Sequence, residues 1–170
     1  MTRPGLLRVE MVMGLPVRLD VRDPDVGPEA LDEAAAWLHH VDAVFSTYRA
    51  GSQISRLNRG ELAEGDPAAD PDLTPVLQRC RELRDRTGGF FDAWATAAAG
   101  DGWGGEGDRR DPSVLLPGAV DPSGLVKGWS VERAGRILEA HGARSWSINA
   151  GGDMVLRGDA LPERGWRVGI

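Results

Sequence analysis

Alternating apolar residues near the start of the chain predict a β-hairpin. Residues 6–13 and residues 17–22 repeat apolar side chains at every second position, the spacing of a strand with one distinct face. Glycine and proline within residues 14–16 predict the turn between them. As an alternative, Met13 and Gly14 would line a pocket, because an edge glycine lets a planar ligand approach the backbone and methionine offers a polarizable surface. The alternating positions are Val9, Met11, Met13, Val17, Leu19 and Val21.

Apolar residues at helical spacing predict three helices and allow a fourth, short one. The first begins at residues 27–29, where proline and an acidic residue suit a first turn. In one of two interpretations of residues 45–60, Ser52 would cap a short second helix. The third spans residues 73–86 and ends at Thr87 and two glycines, and the fourth follows a turn that begins at Asp121. The apolar faces comprise Leu31, Ala34, Ala35, Leu38, Val41 and Phe45; then Ile54 and Leu57; then Leu73, Val76, Leu77, Cys80 and Leu83; and last Val131, Ala134, Ile137 and Leu138.

Three short apolar runs after the last helix predict further strands, over residues 145–148, 154–156 and 166–170. A hairpin followed by helices and then by strands predicts an α+β fold rather than a regular βαβ repeat. A strand over residues 166–170 would be an exposed edge prone to pairing with another chain, so self-association through that edge is expected. Residues 100–110 are rich in glycine and charge and are predicted to be a surface excursion.

Composition and charge narrow the function classes. The chain has 170 residues, of which 41% are hydrophobic and 27% charged, as in an ordinary globular domain. The net charge of −6 argues against a nucleic-acid-binding surface, which needs a basic face. No apolar run approaches the length of a membrane span and no signal peptide is evident, so we expect a cytoplasmic protein. The single Cys80 lies in a predicted helix and is expected to be a packed, inert thiol.

Residues 121–153 contain the most specific chemistry. Lys127 near the start of a predicted helix, together with helix amides, would suit a pyrophosphate. Carboxylates and exposed carbonyls would suit Mg²⁺, which commonly bridges phosphate oxygens. The chain has no P-loop, Rossmann, zinc-protease or nucleophile-elbow motif. These residues alone indicate a metal-assisted nucleotide or dinucleotide site formed by Asp121, Lys127, Asn149 and Asp153, with backbone access at Gly124, Gly128, Gly151 and Gly152.

Aromatic residues in two turns leave two interpretations open. Tyr48 belongs either to a capped turn between helices or to the rim of a site for a flat aromatic ligand. Phe90, Phe91 and Asp92 follow a glycine turn, and they either fill the core or contact a ligand.

Six short blocks, taken in order, resemble the ApbE family of flavin transferases, also called FAD:protein FMN transferases. They are MG (residues 13–14), FSTYRAGSQISRLN (45–58), TGGFFD (87–92), DPSGLVKGW (121–129), INAGGD (148–153) and WRVGI (166–170). The resemblance spans nearly the whole chain, and DPSGLVKGW with INAGGD is its most specific pair.

The resemblance implies an α+β fold with an N-terminal hairpin and helices packed on a mixed or antiparallel sheet. It implies Mg²⁺-dependent transfer of FMN from FAD to a threonine or serine of a target flavoprotein, with release of AMP. Some relatives instead hydrolyse FAD to FMN and AMP. By the same resemblance the Gly124 carbonyl would be a metal ligand, residues 149–153 would support the floor of the site, and the FAD-binding residues would be Met13, Tyr48, Phe90, Phe91, Asp92, Asp121 and Lys127.

The chain departs from the family pattern in two places. The glycine-rich residues 100–110 stand where the family has a longer stretch, and the sequence stops at WRVGI, before a histidine-containing block and a helix with an aspartate and a threonine that complete the metal site. We therefore expect residues 1–170 to be the N-terminal two-thirds of the domain, with the catalytic residues in the missing part. The alternative function is flavin binding, or an FAD pyrophosphatase-like remnant, without transferase activity.

Overall fold

The computed structural model describes residues 5–95, 119–162 and 164–169. The chain divides into a first unit, formed by Met1–Asp42 and Lys127–Ile170, and a second unit, formed by Ala43–Val126. The elements in chain order are β1 (Leu6–Val12), β2 (Leu15–Val21), α1 (Glu29–Phe45), α2 (Gln53–Asn58), α3 (Leu73–Arg86), α4 (Ser123–Ala140), β3 (Trp146–Ala150) and β4 (Asp153–Arg157). This mixture confirms the predicted α+β class, and the predicted residues 100–110 excursion lies outside the described residues.

The first unit contains a four-stranded sheet in the order β1-β2-β3-β4, with every neighbouring pair antiparallel. The N-terminal hairpin is confirmed, but its predicted turn is wrong. The turn consists of Met13 and Gly14, whose φ angles of 55° and 75° suit a two-residue type I′ connection. Pro16 lies within β2, near its start and before the first residue that pairs with β3, so its missing N–H costs no bond there.

One face of the sheet packs on α1 and α4. Trp146 is almost fully buried there, and its ring occupies the space where Gly135 of α4 has no side chain. A glycine in mid-helix lowers helix propensity, and here it admits a large ring to the helix backbone. The core of this unit also contains Val17, Leu19, Val21, Ala30, Ala34, Leu38, Val131, Ala134, Leu138, Ile148 and Ala150.

The opposite face of β1 is apolar but exposed. Val9 and Met11 are 57% and 69% exposed, while the alternate positions Arg8 and Glu10 are half-buried. Glu10 accepts a hydrogen bond from Arg8 within β1. Glu10 also bonds with His39 at 3.1 Å and Arg8 donates to Asp32, and these two bonds link β1 to α1. The alternation in β1 therefore reports strand geometry but does not identify the core face.

The strand predicted over residues 166–170 is wrong for residues 166–169, which have no strand pairing. Trp166 donates a hydrogen bond from Nε1 to the Arg157 carbonyl at 3.0 Å, and the Arg22 guanidinium lies 5.4 Å from the centre of its ring. Trp166 is thus held by contacts of its side chain. The alternating apolar residues of this segment do not pair with a neighbouring strand.

The second unit is built from α2, α3 and connecting loops. Ser52 is the N-cap of α2, where its hydroxyl accepts from the Ser55 N–H at 3.0 Å, as predicted. α3 ends at Arg86, with Thr87 as its C-cap residue. The Gly89 N–H donates to the Arg84 carbonyl at 2.9 Å, as in a glycine C-cap. The buried side chains of this unit include Val44, Phe45, Ile54, Leu62, Leu73, Val76, Leu77, Cys80, Ala93, Val120 and Val126.

Among the helices that the described ranges contain, none combines the length and the apolar character needed to cross a lipid bilayer.

Candidate functional site

Lys127 in the first unit faces a carboxylate on the last hairpin of the sheet. Its Nζ lies 3.0 Å from Oδ2 of Asp153, and the two side chains are 35% and 54% exposed. Asp153 begins β4 directly after Gly151 and Gly152, whose φ angles are 59° and 101°. Only glycine adopts both angles at low cost, so the glycine pair is what allows this tight turn to present Asp153.

The Asn149 side chain stabilises the same turn by a hydrogen bond to its backbone. Its Oδ1 accepts a hydrogen bond from the Gly152 N–H at 3.0 Å. The predicted floor of the site over residues 149–153 is therefore a hairpin turn held by an asparagine side chain and ending in a carboxylate. A turn of this kind supports neighbouring groups without offering many side chains of its own.

Ser130 lies close to both Met13 and Lys127, and sequence reasoning missed it. The buried Ser130 hydroxyl donates to the Lys127 carbonyl at 2.8 Å and lies 4.0 Å from the Met13 sulfur. Its own carbonyl accepts from Trp37 Nε1 at 3.0 Å. Ser130 thus places the Met13 sulfur beside α4, one helical turn after Lys127. The available signal was a small hydroxyl residue next to the apolar face of α4.

Met13 has a left-handed backbone conformation that a non-glycine residue rarely adopts. With φ at 55° it is the one such non-glycine residue within the described ranges. Its side chain is half-buried and packs against the core of the first unit. A strained position held by surrounding structure is typical of functional sites, although a type I′ turn demands the same φ from any residue.

The second unit fixes the TGGFFD turn through two side chains. The Thr87 hydroxyl accepts from the Phe91 N–H at 3.0 Å, and Asp92 accepts from the Trp94 N–H at 2.9 Å. Arg84 Nε lies 3.1 Å from the second carboxylate oxygen of Asp92. Asp92 is therefore held with its charge paired, in a partly buried position.

The two phenylalanines of this turn have different environments. Phe90 is fully exposed, so the core-filling interpretation is wrong for it. Phe91 is half-buried, and its ring lies 3.3 Å from the point where a side chain on Gly124 would begin. The absence of a Cβ at Gly124 therefore allows the Phe91 ring to lie against the first turn of α4.

Asp121 is held by backbone bonds on both sides. Its N–H donates to the Ala93 carbonyl at 2.7 Å, and its Oδ1 accepts from the Ser123 N–H at 3.0 Å. The residue is only 9% exposed. The turn predicted at residues 121–124 is thus an Asp-stabilised entry to α4.

Cys80 lies close to Asp121 within the second unit. Burial raises the pKa of its thiol to about 11, and the Asp121 carboxylate adds to the rise while Arg81 opposes it. The thiol is fully buried, which confirms the packed cysteine predicted from sequence.

Tyr48 lies in a loop fixed by serine hydroxyls. Its N–H donates to Ser46 Oγ at 3.3 Å, and the Ser46 carbonyl accepts from Ser52 Oγ at 2.6 Å. The Tyr48 side chain is 67% exposed. The capped-turn interpretation of this segment is confirmed, and contact between Tyr48 and a flat ligand stays a prediction.

The predicted magnesium ligand is a backbone carbonyl rather than a cluster of side chains. Within these ranges no group of three or more His, Cys, Asp or Glu side chains converges in a way that could hold a metal ion. Gly124, the predicted ligand, lies in the first turn of α4, where a carbonyl already has a helical hydrogen-bonding role. Mg²⁺ prefers six oxygen ligands, so one carbonyl meets little of that demand.

Comparison with solved structures identifies the fold of this chain. The flavin transferase ApbE from Vibrio cholerae matches with a TM-score of 0.78 and 20% identity over 98% of this chain and 63% of that one. The apo form of the Pseudomonas stutzeri flavinyl transferase ApbE matches with a TM-score of 0.77 and 20% identity, covering 100% and 66% of the two chains. The chain therefore has the α+β fold of these proteins.

Sequence comparison identifies the family. The model of the ApbE family matches residues 13–117 and 114–170, and this chain belongs to that family. The FAD:protein FMN transferase of Haemophilus influenzae is 24% identical, over 82% of this chain and 49% of the relative. The one of Rhodobacter capsulatus is 30% identical, over 71% and 28%. The chain spans about half the length of the first of these curated relatives and less of the second.

Proposed function

We propose that this chain binds FAD and takes part in transferring FMN from FAD to a threonine or serine of a target protein. The observation that carries the proposal is the accessible Lys127 ammonium, set 3.0 Å from Asp153 beside a glycine turn. Lysine is a common phosphate-binding residue, and glycine turns leave backbone open to a ligand. Relatives of this chain are named FAD:protein FMN transferase, and the activity is proposed here by that kinship.

The residues are assigned distinct roles toward FAD. Lys127 would offset the charge of the pyrophosphate, and Asp121 would accept hydrogen bonds from the ligand. Asp92 is likewise assigned to FAD, and its carboxylate is held in place by Arg84. Flavin contacts are assigned to side chains with an apolar or aromatic surface, which suit a flat ring system: Met13, Tyr48, Phe90 and Phe91.

The transfer itself exchanges one phosphorus–oxygen bond for another. The hydroxyl oxygen of the target residue bonds to the phosphorus on the FMN side of the pyrophosphate. The bond from that phosphorus to the bridging oxygen breaks, AMP leaves with the bridging oxygen, and the hydroxyl proton is released to solvent. Charge neutralisation at the pyrophosphate stabilises such a displacement, and Lys127 is the residue assigned to it here.

Magnesium enters the proposal as a requirement of the transfer, with the Gly124 carbonyl as one ligand. Groups beyond the described residues, together with phosphate oxygens and water, would have to complete its coordination. The cytoplasmic location and self-association through residues 166–170 also stay predictions, the latter without the strand on which it was based.

The second candidate is flavin binding, or FAD hydrolysis, without transfer. The observation that favours binding alone is that the described residues contain no cluster of metal-binding side chains. A chain of this kind would retain FAD through the Lys127 and Asp121 groups while lacking the coordination that the transfer needs.

One incubation separates these outcomes. The purified chain is mixed with FAD, Mg²⁺ and a peptide carrying an acceptor threonine, and the products are analysed by mass spectrometry. A peptide–FMN adduct with AMP supports transfer, whereas free FMN and AMP without adduct support hydrolysis. Retained FAD with neither product supports binding alone. A matched peptide in which alanine replaces the acceptor threonine identifies any adduct that does not depend on the hydroxyl.

A further inference from the structure

Asn58 at the end of α2 makes two hydrogen bonds to one distant residue. Its Nδ2 donates to the Val120 carbonyl at 2.9 Å, and its Oδ1 accepts from the Val120 N–H at 2.8 Å. The Asn58 side-chain amide therefore bonds to both the N–H and the C=O of Val120. A residue on a neighbouring strand would bond to them in the same way through its backbone. Val120 is 1% exposed and lies outside any helix or strand, so its backbone groups need partners from elsewhere.

Val120 immediately precedes Asp121, and the segment is fixed at successive points. The Asp121 N–H donates to Ala93, and the Asp121 carboxylate accepts from Ser123. Without the Asn58 side chain, the N–H and the C=O of Val120 would both lose their hydrogen-bond partner while buried. Val120 is the residue at which the chain enters the Asp121 turn. A shift of the Val120 backbone would move the Asp121 side chain with it.

We propose that Asn58 is a positioning residue for FAD binding, which acts by holding Val120 so that Asp121 is correctly presented. The inference rests on the proposed function, in which Asp121 accepts hydrogen bonds from FAD. Asn58 touches no substrate in this account. Its side chain is suited to the task because it is the shortest one with both a donor and an acceptor in a planar amide.

Aspartate and alanine would each fail in a distinct way. In Asn58→Asp the acceptor for the Val120 N–H remains, but the donor is lost and a carboxylate faces the Val120 carbonyl. In Asn58→Ala both bonds are lost. Asn58→Asp therefore removes one of the two hydrogen bonds to Val120, and Asn58→Ala removes both.

Gln53 provides a matched control on the same helix. Its Oε1 accepts from the Asp70 N–H at 2.7 Å, so it too ties α2 to a distant backbone amide within the second unit. Asp70 is not assigned to the candidate site. Gln53→Ala thus removes a bond of the same kind, from the same helix, away from Asp121.

The experiment measures two quantities on wild type, Asn58→Ala, Asn58→Asp and Gln53→Ala. The first is amide hydrogen exchange without ligand, resolved at Asp70, Val120 and Asp121. The second is the dissociation constant for FAD from flavin fluorescence. Asn58→Ala should speed exchange at Val120 and Asp121 and weaken FAD binding about tenfold, the scale of one or two net hydrogen bonds. Gln53→Ala should speed exchange at Asp70 alone and keep FAD affinity within about twofold of wild type.

Each outcome decides the matter. Unchanged exchange at Val120 and Asp121 in Asn58→Ala would show that Asn58 does not hold this segment. Faster exchange with unchanged FAD affinity would contradict the positioning role. Should Asn58→Ala not fold, Asn58→Asp carries the test, with weaker FAD binding expected. If wild type binds no FAD, the proposed function fails and the positioning role falls with it, while exchange still reports whether Asn58 holds Val120.

Discussion

The Lys127 ammonium on α4 lies 3.0 Å from the carboxylate of Asp153, which begins β4 directly after the glycine turn. The cation assigned to the FAD pyrophosphate therefore has a carboxylate partner before any ligand arrives. Partly exposed ion pairs of this kind contribute little to stability, about 0–1 kcal/mol. An incoming phosphate can share the ammonium or displace Asp153 from it, and either event costs little.

Loss of Lys127 should weaken FAD binding without unfolding the chain. A hydrogen bond to a charged group contributes about 1.5–3 kcal/mol, so Lys127→Ala should raise the FAD dissociation constant about ten- to hundredfold. Arg136→Ala is the control, because Arg136 lies on the same helix and pairs with Glu132 in an exposed position. Isothermal titration of both variants checks this, and equal affinities for the two would remove Lys127 from the phosphate role.

Loss of the Asp153 charge should have the opposite effect. Asp153→Asn frees Lys127 from its partner, and the weak pair then no longer competes with the pyrophosphate. We expect FAD affinity to rise about threefold, with a change in unfolding free energy below about 1 kcal/mol. The same titration, repeated at low and high salt, measures it. A large loss of affinity would mean that Asp153 contacts the ligand or orients Lys127.

Two glycines of α4 should respond in opposite ways to alanine. A Cβ on Gly135 would overlap the ring of the buried Trp146, whereas one on Gly128 has no neighbour within 4 Å. Gly135→Ala should therefore destabilise the protein by about 1–3 kcal/mol through overpacking. Gly128→Ala should stabilise it by about 0.5–1 kcal/mol through helix propensity. Urea unfolding of the two variants gives both values, and equal stabilities would contradict the packing described here.

The Cys80 thiol should make stability fall at alkaline pH. Its pKa is raised from 9.0 to about 11 by burial in the folded protein. The neutral thiol is favoured by folding, so this contribution is complete below pH 9.0 and is lost as the pH rises through about 11. We expect Cys80→Ala to flatten the decline in unfolding free energy between these pH values by on the order of 2 kcal/mol. Urea unfolding at several pH values tests this, and parallel declines for wild type and variant would contradict it.

Local patterns predicted most of the fold. α3 has the predicted bounds because its apolar spacing is regular and a glycine pair ends it. The first turn was misplaced because Pro16 is a strong turn signal, whereas the positive φ of Met13 has no signal in a methionine. The last strand was wrong because Trp166 bonds through its side chain to Arg157, a contact that periodicity does not report.

The candidate site was predictable in its residue types but not in its supports. Lys127 and the glycine turn stand out because their chemistry is visible in short motifs. Ser130 and Asn58 were missed because each acts on a backbone group, and in the case of Asn58 that group is 62 residues away in sequence. The Asn58–Val120 pair follows from tertiary structure alone, whereas the Ser130 bond lies within one turn of α4 and leaves no distinct pattern in the sequence.

FAD binding by the chain tests the account most directly. In a fluorescence titration of wild-type protein with FAD, we expect saturable binding of one FAD per chain, with affinity reduced in Lys127→Ala and unchanged in Arg136→Ala. Absence of saturable binding by wild-type protein would contradict the central claim that this chain binds FAD with the help of Lys127.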